Sequence, residues 1–143
     1  MVGQIIYLSR AKYPMGHETD FQILDIARNR NAKLRLTGYL FRSKTGFLQL
    51  LEGDAARVET VMNAIRRDPL HTITTELPMR RVGFRAFAKW NMGFGPLDRR
   101  DINKVLENAE TTEAVYEGFV ATLRDAARKG GPDWESRLRN KKR

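Results

Sequence analysis

The pattern of apolar and polar positions predicts a chain in which strands alternate with helices. Short runs of large apolar side chains indicate strands, and apolar residues at i, i+3, i+4 and i+7 indicate helices. The clearest helical stripe is formed by Val58, Val61, Met62 and Ile65. The predicted strands are at 3–9, 35–42, 47–52 and roughly 71–80 and 86–94. The predicted helices are at 20–30, from Asp54 to Asp68-Pro69, and at 99–108 and 112–129. A capping box at Thr19 and Gln22 opens the first helix, and Asp54 caps the second.

This order of elements predicts an α+β fold. The succession β-α-β-β-α-β with one more strand is typical of a ferredoxin-like sheet that carries two helices on one face. The two amphipathic helices beyond Pro96 should pack on the remaining face. We therefore expect a sheet domain at 1–96, a helical appendix at 97–130 and a basic tail at 131–143.

One polar residue interrupts the third predicted strand. Residues 46–53 read GFLQLLEG, which is typical of a strand buried on both faces, yet Gln49 stands inside the apolar run. A buried amide without hydrogen-bond partners costs roughly 1–3 kcal/mol. Either neighbouring side chains satisfy Gln49, or a ligand enters the core and needs it.

The residue composition excludes several kinds of chemistry. The 143 residues include no cysteine and only two histidines, which excludes disulfides and thiolate nucleophiles and makes a zinc site or a histidine-based triad improbable. No apolar run approaches the ~20 residues that cross a bilayer, and Met1–Ser9 lacks the features of a signal peptide. We therefore expect a cytoplasmic protein with no membrane partner.

The net charge of +9 raises the question of nucleic acid binding. Much of the excess is terminal, because residues 121–143 hold eight Lys or Arg against three Asp or Glu. After the break at Gly130-Gly131-Pro132, the basic tail is interpreted as a solvated, frayed terminus. An RNA-binding module on an RRM-type sheet remains the alternative, although KTGFLQLL lacks its stacking aromatics. An acylphosphatase-type enzyme is disfavoured, since no glycine-rich phosphate loop precedes the first helix.

A small set of polar residues is predicted to point toward one place in the core. Tyr7, Asn31 and Gln49 could together hydrogen-bond a flat ligand held between the two helices. The apolar residues expected to line it are Ile23, Leu24 and Phe47. Each polar residue also has a purely structural interpretation: Tyr7 as a core aromatic, and Asn31 as a helix C-cap. Trp90 and Met92, expected on one face of the last strand, could be plain packing.

The combined motifs resemble the BLUF domain, the family of blue-light sensors that use FAD. The resemblance covers about residues 3–95, through IIYLS, the IL pair at 23–24, N…LTG at 31–38, GFLQLLEGD at 46–54, IRRDPLH at 65–71 and FAKWNMGF at 87–94. In this order and at these intervals the motifs are specific. The resemblance implies a ferredoxin-like sheet with a flavin between its two helices.

The resemblance also implies roles for individual residues. It places the photoactive tyrosine at Tyr7, the switching glutamine at Gln49 and the flavin-binding asparagine at Asn31. Trp90 and Met92 correspond to the switch residues of the last strand. The remaining cofactor-binding positions are Ile23, Leu24, Arg30 and Phe47, with Arg67 and His71 near the phosphates. The implied cofactor is FAD, with FMN or riboflavin as possible replacements.

The family mechanism implies a photosensor and not an enzyme. Light drives an electron and a proton from Tyr7 to the flavin by way of Gln49, whose hydrogen bonds then rearrange. The change passes through the last strand to helices 99–129. We expect a separate effector protein, such as a cyclic-di-GMP phosphodiesterase or a transcriptional regulator, and a homo-oligomer in contact through the face that those helices cover.

Overall fold

A mixed sheet forms the centre of the protein in the computed structural model, which describes residues 1–70, 72–129 and 132–141. The strands are β1 (Val2–Arg10), β2 (Thr37–Arg42), β3 (Gly46–Gly53), β4 (Thr72–Glu76), β5 (Arg80–Val82) and β6 (Gly93–Pro96). The helices are α1 (Glu18–Leu34), α2 (Ala55–Arg67), α3 (Arg99–Asn108), α4 (Thr112–Lys129) and α5 (Pro132–Asn140). Among these helices, none combines the length and apolar character needed to cross a membrane.

The strand order confirms the predicted ferredoxin-like α+β fold. The sheet runs β4-β1-β3-β2-β6, and β5 pairs with the opposite end of β1 from β4. β3 lies antiparallel to both β1 and β2, so β1 and β2 are parallel and α1 crosses between them. β6 extends the sheet beside β2 in the parallel direction. β1 and β3 are therefore neighbouring strands inside the sheet, each paired on both sides.

Each face of the sheet is covered by its own pair of helices. α1 and α2 pack on the face of β1 and β3 that carries Ile5, Tyr7 and Leu51. α3 and α4 pack on the other face against Ile6, Leu8 and their neighbours, as predicted. Every residue of β3 is buried. An RRM-type module needs an exposed aromatic face on this strand, so the RNA-binding alternative is not supported.

The segment before β6 differs from the prediction of a strand at 86–94. Only Gly93–Pro96 pairs with β2, and residues 83–92 form a loop. The cause is a buried carboxyl group: Glu52 accepts hydrogen bonds from the backbone N–H groups of Ala86 and Phe87, at 2.8 and 2.6 Å. Those donors are thus satisfied by a side chain and not by a neighbouring strand. The alternation expected to put Trp90 and Met92 on one face does not exist.

Helix α1 is longer at both ends than predicted. It begins after His17, whose Nδ1 accepts a hydrogen bond from the Thr19 N–H at 3.1 Å, so Thr19 is not the capping residue. It ends before Arg35, which adopts a left-handed conformation with φ 55°. Asn31 consequently lies inside the last turn and is not a C-cap. Its side chain projects into the core.

The chain end is helical where a frayed terminus was expected. Residues 132–140 form α5, which packs on the side of α1 and β6. The Trp134 ring contacts the Phe94 ring edge to face at 5.0 Å between centroids. Gly130, Gly131 and the last two residues lie outside the described part of the chain.

Candidate functional site

The register between the two central strands brings Tyr7 and Gln49 together. They are directly opposite residues in the antiparallel pairing of β1 and β3, and their side chains share the face beneath α1 and α2. Both are buried, with 0% and 2% of their surface exposed. The Tyr7 hydroxyl donates a hydrogen bond to Gln49 Oε1. The other end of the same amide, Nε2, donates to Met92 Sδ at 3.5 Å.

These two contacts show how far neighbouring side chains satisfy the buried amide of Gln49. Within the protein, the Gln49 amide accepts from a phenol and donates to a thioether. A thioether sulfur is a weak acceptor, so the donor end of the amide is only weakly satisfied. A stronger acceptor brought next to Gln49 could therefore compete with Met92 for this N–H.

Burial controls the ionisation of Tyr7. Removal from water raises the pKa of the Tyr7 phenol well above its ordinary value of 10.0; the Arg30 charge opposes this shift and the Asp68 charge adds to it. Tyr7 is therefore a neutral phenol at physiological pH and keeps a proton that it can give away. The Arg30 pKa is lowered, mainly by its own burial.

Alkaline pH should destabilise the protein through its buried phenols. Burial also raises the pKa of Tyr116, so the folded chain holds both phenolic protons to higher pH than the unfolded chain does. The free energy of unfolding is thus expected to fall as the pH rises above about 10, the unfolded value. Urea denaturation at about pH 8 and about pH 11 would measure this, and Tyr7→Phe should reduce the loss. An equal loss in the variant would contradict the assignment to Tyr7.

A hydrogen-bond acceptor in the core is left without a partner. Asn31 is fully buried, and its Nδ2 donates to the Asn91 carbonyl at 2.7 Å. Its Oδ1 has no hydrogen-bond partner among the described residues, nor does Arg30 Nε. An unsatisfied buried acceptor costs about 1–3 kcal/mol. A ligand with an N–H group beside Asn31 would remove this cost.

The space between α1 and α2 is narrow in this conformation. A cavity of about 20 Å³ lies there, lined by Ile23, Ala27, Arg30, Gln49 and Ile65, with Ile26 and Asp68 at its margin. A three-ring ligand needs far more room, so side chains of the two helices must move apart to admit one. Arg30 is the member best able to move, because it is long and only half-buried. Leu24 and Phe47 are buried in the same core.

The remaining predicted residues lie at different distances from this centre. Arg67 is exposed in the last turn of α2, and His71 lies outside the described residues. Trp90 is 44% exposed and packs against Tyr39 and Phe87, at 5.4 and 5.9 Å between ring centroids. The prediction that Trp90 lies beside Met92 on one strand face is therefore wrong. Met92, 2% exposed, is the residue that contacts Gln49.

Gly93, the first residue of β6, lies in close contact with an aromatic ring. A Cβ at Gly93 would lie 2.2 Å from the Tyr39 ring, so only glycine allows this ring to pack against the start of β6. Met92 precedes it and faces the α1 side, whereas Trp90 contacts Tyr39 on the other side. The two candidate switch residues thus lie on opposite sides of the sheet edge.

Two residues important for this geometry were missed by the sequence reasoning. Glu52 anchors the loop that carries Trp90 and Met92, and a carboxyl group inside an apolar strand is a signal that could have revealed it. Arg28 donates through Nε to the Met92 carbonyl at 2.9 Å. The sequence holds no comparable signal for Arg28, because an arginine on a helix is usually solvated.

Comparisons with known proteins give a consistent result. A family model described as sensors of blue light using FAD (BLUF) matches residues 2–93. The chain is 34% identical over 89 residues to the photoactivated adenylate cyclase subunit beta of Euglena longa, covering 62% of this chain and 10% of that protein. It is 30% identical over 107 residues to the blue light- and temperature-regulated antirepressor BluF of Escherichia coli (strain K12), covering 75% and 27%.

A solved structure shows the same fold over nearly its whole length. The dark-state structure of BlrB, a BLUF protein, matches with a TM-score of 0.67 and 22% identity, covering 87% of this chain and 96% of that one. The two curated relatives are much longer, and this chain spans about a tenth of the first and about a quarter of the second.

Proposed function

This chain belongs to the BLUF family, the sensors of blue light using FAD, and we propose that it senses blue light through a flavin bound non-covalently between α1 and α2. The observation that carries the proposal is the continuous contact from Tyr7 through Gln49 to Met92. Two consecutive hydrogen bonds connect a redox-active phenol, an amide that both donates and accepts, and a weak acceptor. No other group of described residues combines these three properties in the core.

The chemistry of the surrounding residues fits a flavin. The unpartnered Asn31 Oδ1 suits a ring N–H, and the weakly held Gln49 Nε2 suits a ring carbonyl oxygen or nitrogen. Ile23, Leu24 and Phe47 supply the apolar surface for the rings. We propose FAD as the flavin, with Arg30 beside its rings and with Arg67 and His71 toward its phosphates. FMN or riboflavin would use fewer of these basic residues.

In this mechanism, the protein moves one electron and one proton and then returns both. A flavin held there would, once excited by blue light, supply a strong one-electron oxidant. Tyr7 would give it an electron and would pass its phenolic proton to Gln49 Oε1, while Gln49 Nε2 would release a proton to an acceptor beside it. While Tyr7 is oxidised, the Gln49 amide rotates or tautomerises. Return of the electron and the proton restores Tyr7 but leaves the amide with exchanged hydrogen bonds.

The free energy available to this switch is small. A net hydrogen bond is worth about 0.5–1.5 kcal/mol, which changes an equilibrium by roughly tenfold at most. Such a change can bias an element already poised between two arrangements but cannot drive a large rearrangement. Met92 is that element in our proposal, because it gives up or gains the Gln49 N–H and directly precedes β6.

We further propose that the output goes to a separate effector protein. A transcriptional regulator is favoured, since one relative is an antirepressor. A cyclic-di-GMP phosphodiesterase is the second candidate. Self-association through α3 and α4 is proposed as part of the same output, because these helices cover the sheet face opposite Tyr7.

The optical properties of the purified protein test this function. We expect a yellow protein that carries one flavin per chain, identified by chromatography of the released cofactor. Blue light should shift the flavin absorption bands slightly to the red, and darkness should reverse the shift. A colourless protein that takes up neither FAD, FMN nor riboflavin would exclude the proposal.

A further inference from the structure

One arginine joins the switch region to the last helix. Arg28, on the outer side of α1, donates through Nε to the Met92 carbonyl at 2.9 Å. Its two terminal nitrogens donate to the two carboxylate oxygens of Glu135 on α5, at 2.9 and 2.8 Å. A single guanidinium therefore holds the backbone of Met92 at one edge and the carboxylate of Glu135 at the other.

Other side chains of α5 also contact the domain. Trp134 packs on Phe94, Leu138 packs against the same core, and Arg139 lies 4.5 Å over the Phe21 ring and pairs with Asp25 at 3.0 Å. The described side chains of α5 are half-buried or exposed, and Glu135, next to Arg28, has 15% of its side chain exposed. A nine-residue helix is not stable alone in water. The stability of α5 therefore depends on its contacts with the rest of the protein, and a change in one of them can alter its local opening.

The fork of an arginine is required for this double contact. The planar guanidinium presents donors along two edges at fixed angles, so Nε can face a carbonyl while the two terminal nitrogens face a carboxylate. A lysine ammonium at the same place could attract Glu135 but could not hold both groups in one geometry. The arrangement links the position of Met92 to the orientation of Glu135.

We propose that Arg28 couples Met92 to α5, so that the light-driven change at Gln49 loosens the docking of α5 on α1. This inference depends on the proposed photochemistry and adds an output element on the α1 side of the sheet. When the Gln49 N–H turns away from Met92 Sδ, Met92 shifts, and its carbonyl leaves Arg28 Nε. Arg28 then reorients, and the bidentate contact with Glu135 weakens.

Hydrogen exchange of the α5 amides, measured in darkness and under blue light, tests the coupling. The flavin spectrum is recorded on the same samples. In the parent protein we expect a red shift and, with it, a roughly threefold to tenfold faster exchange of residues 133–140, the range one hydrogen bond can produce. A red shift with equal α5 exchange in light and darkness would overturn the coupling alone. Absence of the red shift would instead overturn the proposed function.

Two variants distinguish the coupling of Met92 to α5 through Arg28 from the docking of α5 on α1. Arg28→Lys keeps the attraction to Glu135 but loses the Met92 contact, so its α5 should stay protected in darkness and should not respond to light. Glu135→Gln should show fast α5 exchange in both conditions while keeping the red shift. Asp125→Asn, which removes only an exposed pair with Lys129 on α4, is the control and should behave as the parent does. A full light response in either Arg28→Lys or Glu135→Gln would overturn the proposal.

Discussion

Replacing Tyr7 by phenylalanine is expected to leave the flavin bound and to abolish the light-induced red shift. The phenylalanine ring fills the same space in the core, so the helices around the cofactor should pack as before. Without a hydroxyl, however, the side chain has no proton to give to Gln49 Oε1 and is far harder to oxidise. Difference spectra recorded before and after blue illumination measure the result.

A second buried tyrosine provides the matched control. Tyr116 is fully buried on the opposite face of the sheet, where its single hydroxyl proton faces two carbonyl acceptors, Pro78 at 2.7 Å and Gln4 at 3.0 Å. Tyr116→Phe should therefore reduce stability by about 1–2 kcal/mol and keep the red shift. A normal photocycle in Tyr7→Phe, or its loss in Tyr116→Phe, would contradict the role assigned to Tyr7.

Gln49→Leu should give the same loss for a different reason. Leucine approximates the shape of glutamine but can neither accept from Tyr7 nor donate to Met92 Sδ, so the two ends of the contact are no longer connected. A variant that keeps its flavin but has no red shift would support the role of the Gln49 amide between Tyr7 and Met92. A retained red shift would show that the amide is not the switch.

Strand and helix periodicity predicted the fold, and strand alternation together with the resemblance to the BLUF family predicted that Tyr7 and Gln49 lie close together. Alternation along 3–9 and 47–52 put Tyr7 and Gln49 on one face, and the register of β1 with β3 makes them direct neighbours. The two helices that pack on this face, α1 and α2, were predicted from apolar residues spaced at i, i+3 and i+4. These signals are local, and the structure preserves them.

The parts that the sequence reasoning missed depend on contacts between distant residues. The loop before β6 has the alternation of a strand, yet Glu52, more than thirty positions earlier, satisfies its N–H groups. Likewise, α5 is short and carries as many acidic as basic side chains, and its docking on Arg28 spans 107 positions of sequence. A pattern read within a short window cannot show either contact.

Glu52→Gln is expected to destabilise the protein by about 3 kcal/mol and to loosen the loop that carries Met92. Each carboxyl oxygen of this fully buried residue accepts two hydrogen bonds. The four donors are Gln4 Nε2, Thr37 Oγ1, Ala86 N and Phe87 N, at distances of 3.0, 3.2, 2.8 and 2.6 Å. Glutamine would direct an NH₂ group at one pair of donors, so the backbone N–H of Ala86 or Phe87 would lose its acceptor at a fully buried site.

Thermal unfolding and local hydrogen exchange together measure this effect. We expect the melting temperature to fall by roughly 10 °C, and the amides of Ala86 and Phe87 to exchange faster than the loss of global stability alone explains. Glu107→Gln, an exposed change of the same kind on α3, should alter stability by less than about 0.5 kcal/mol. If Glu52→Gln changed the melting temperature and the exchange of the Ala86 and Phe87 amides no more than Glu107→Gln does, the Glu52 carboxyl group would not be the anchor of the loop. The position of Met92 beside Gln49 would then depend on the other hydrogen bonds to this segment, which Arg28 donates to the Met92 carbonyl and Asn31 to the Asn91 carbonyl.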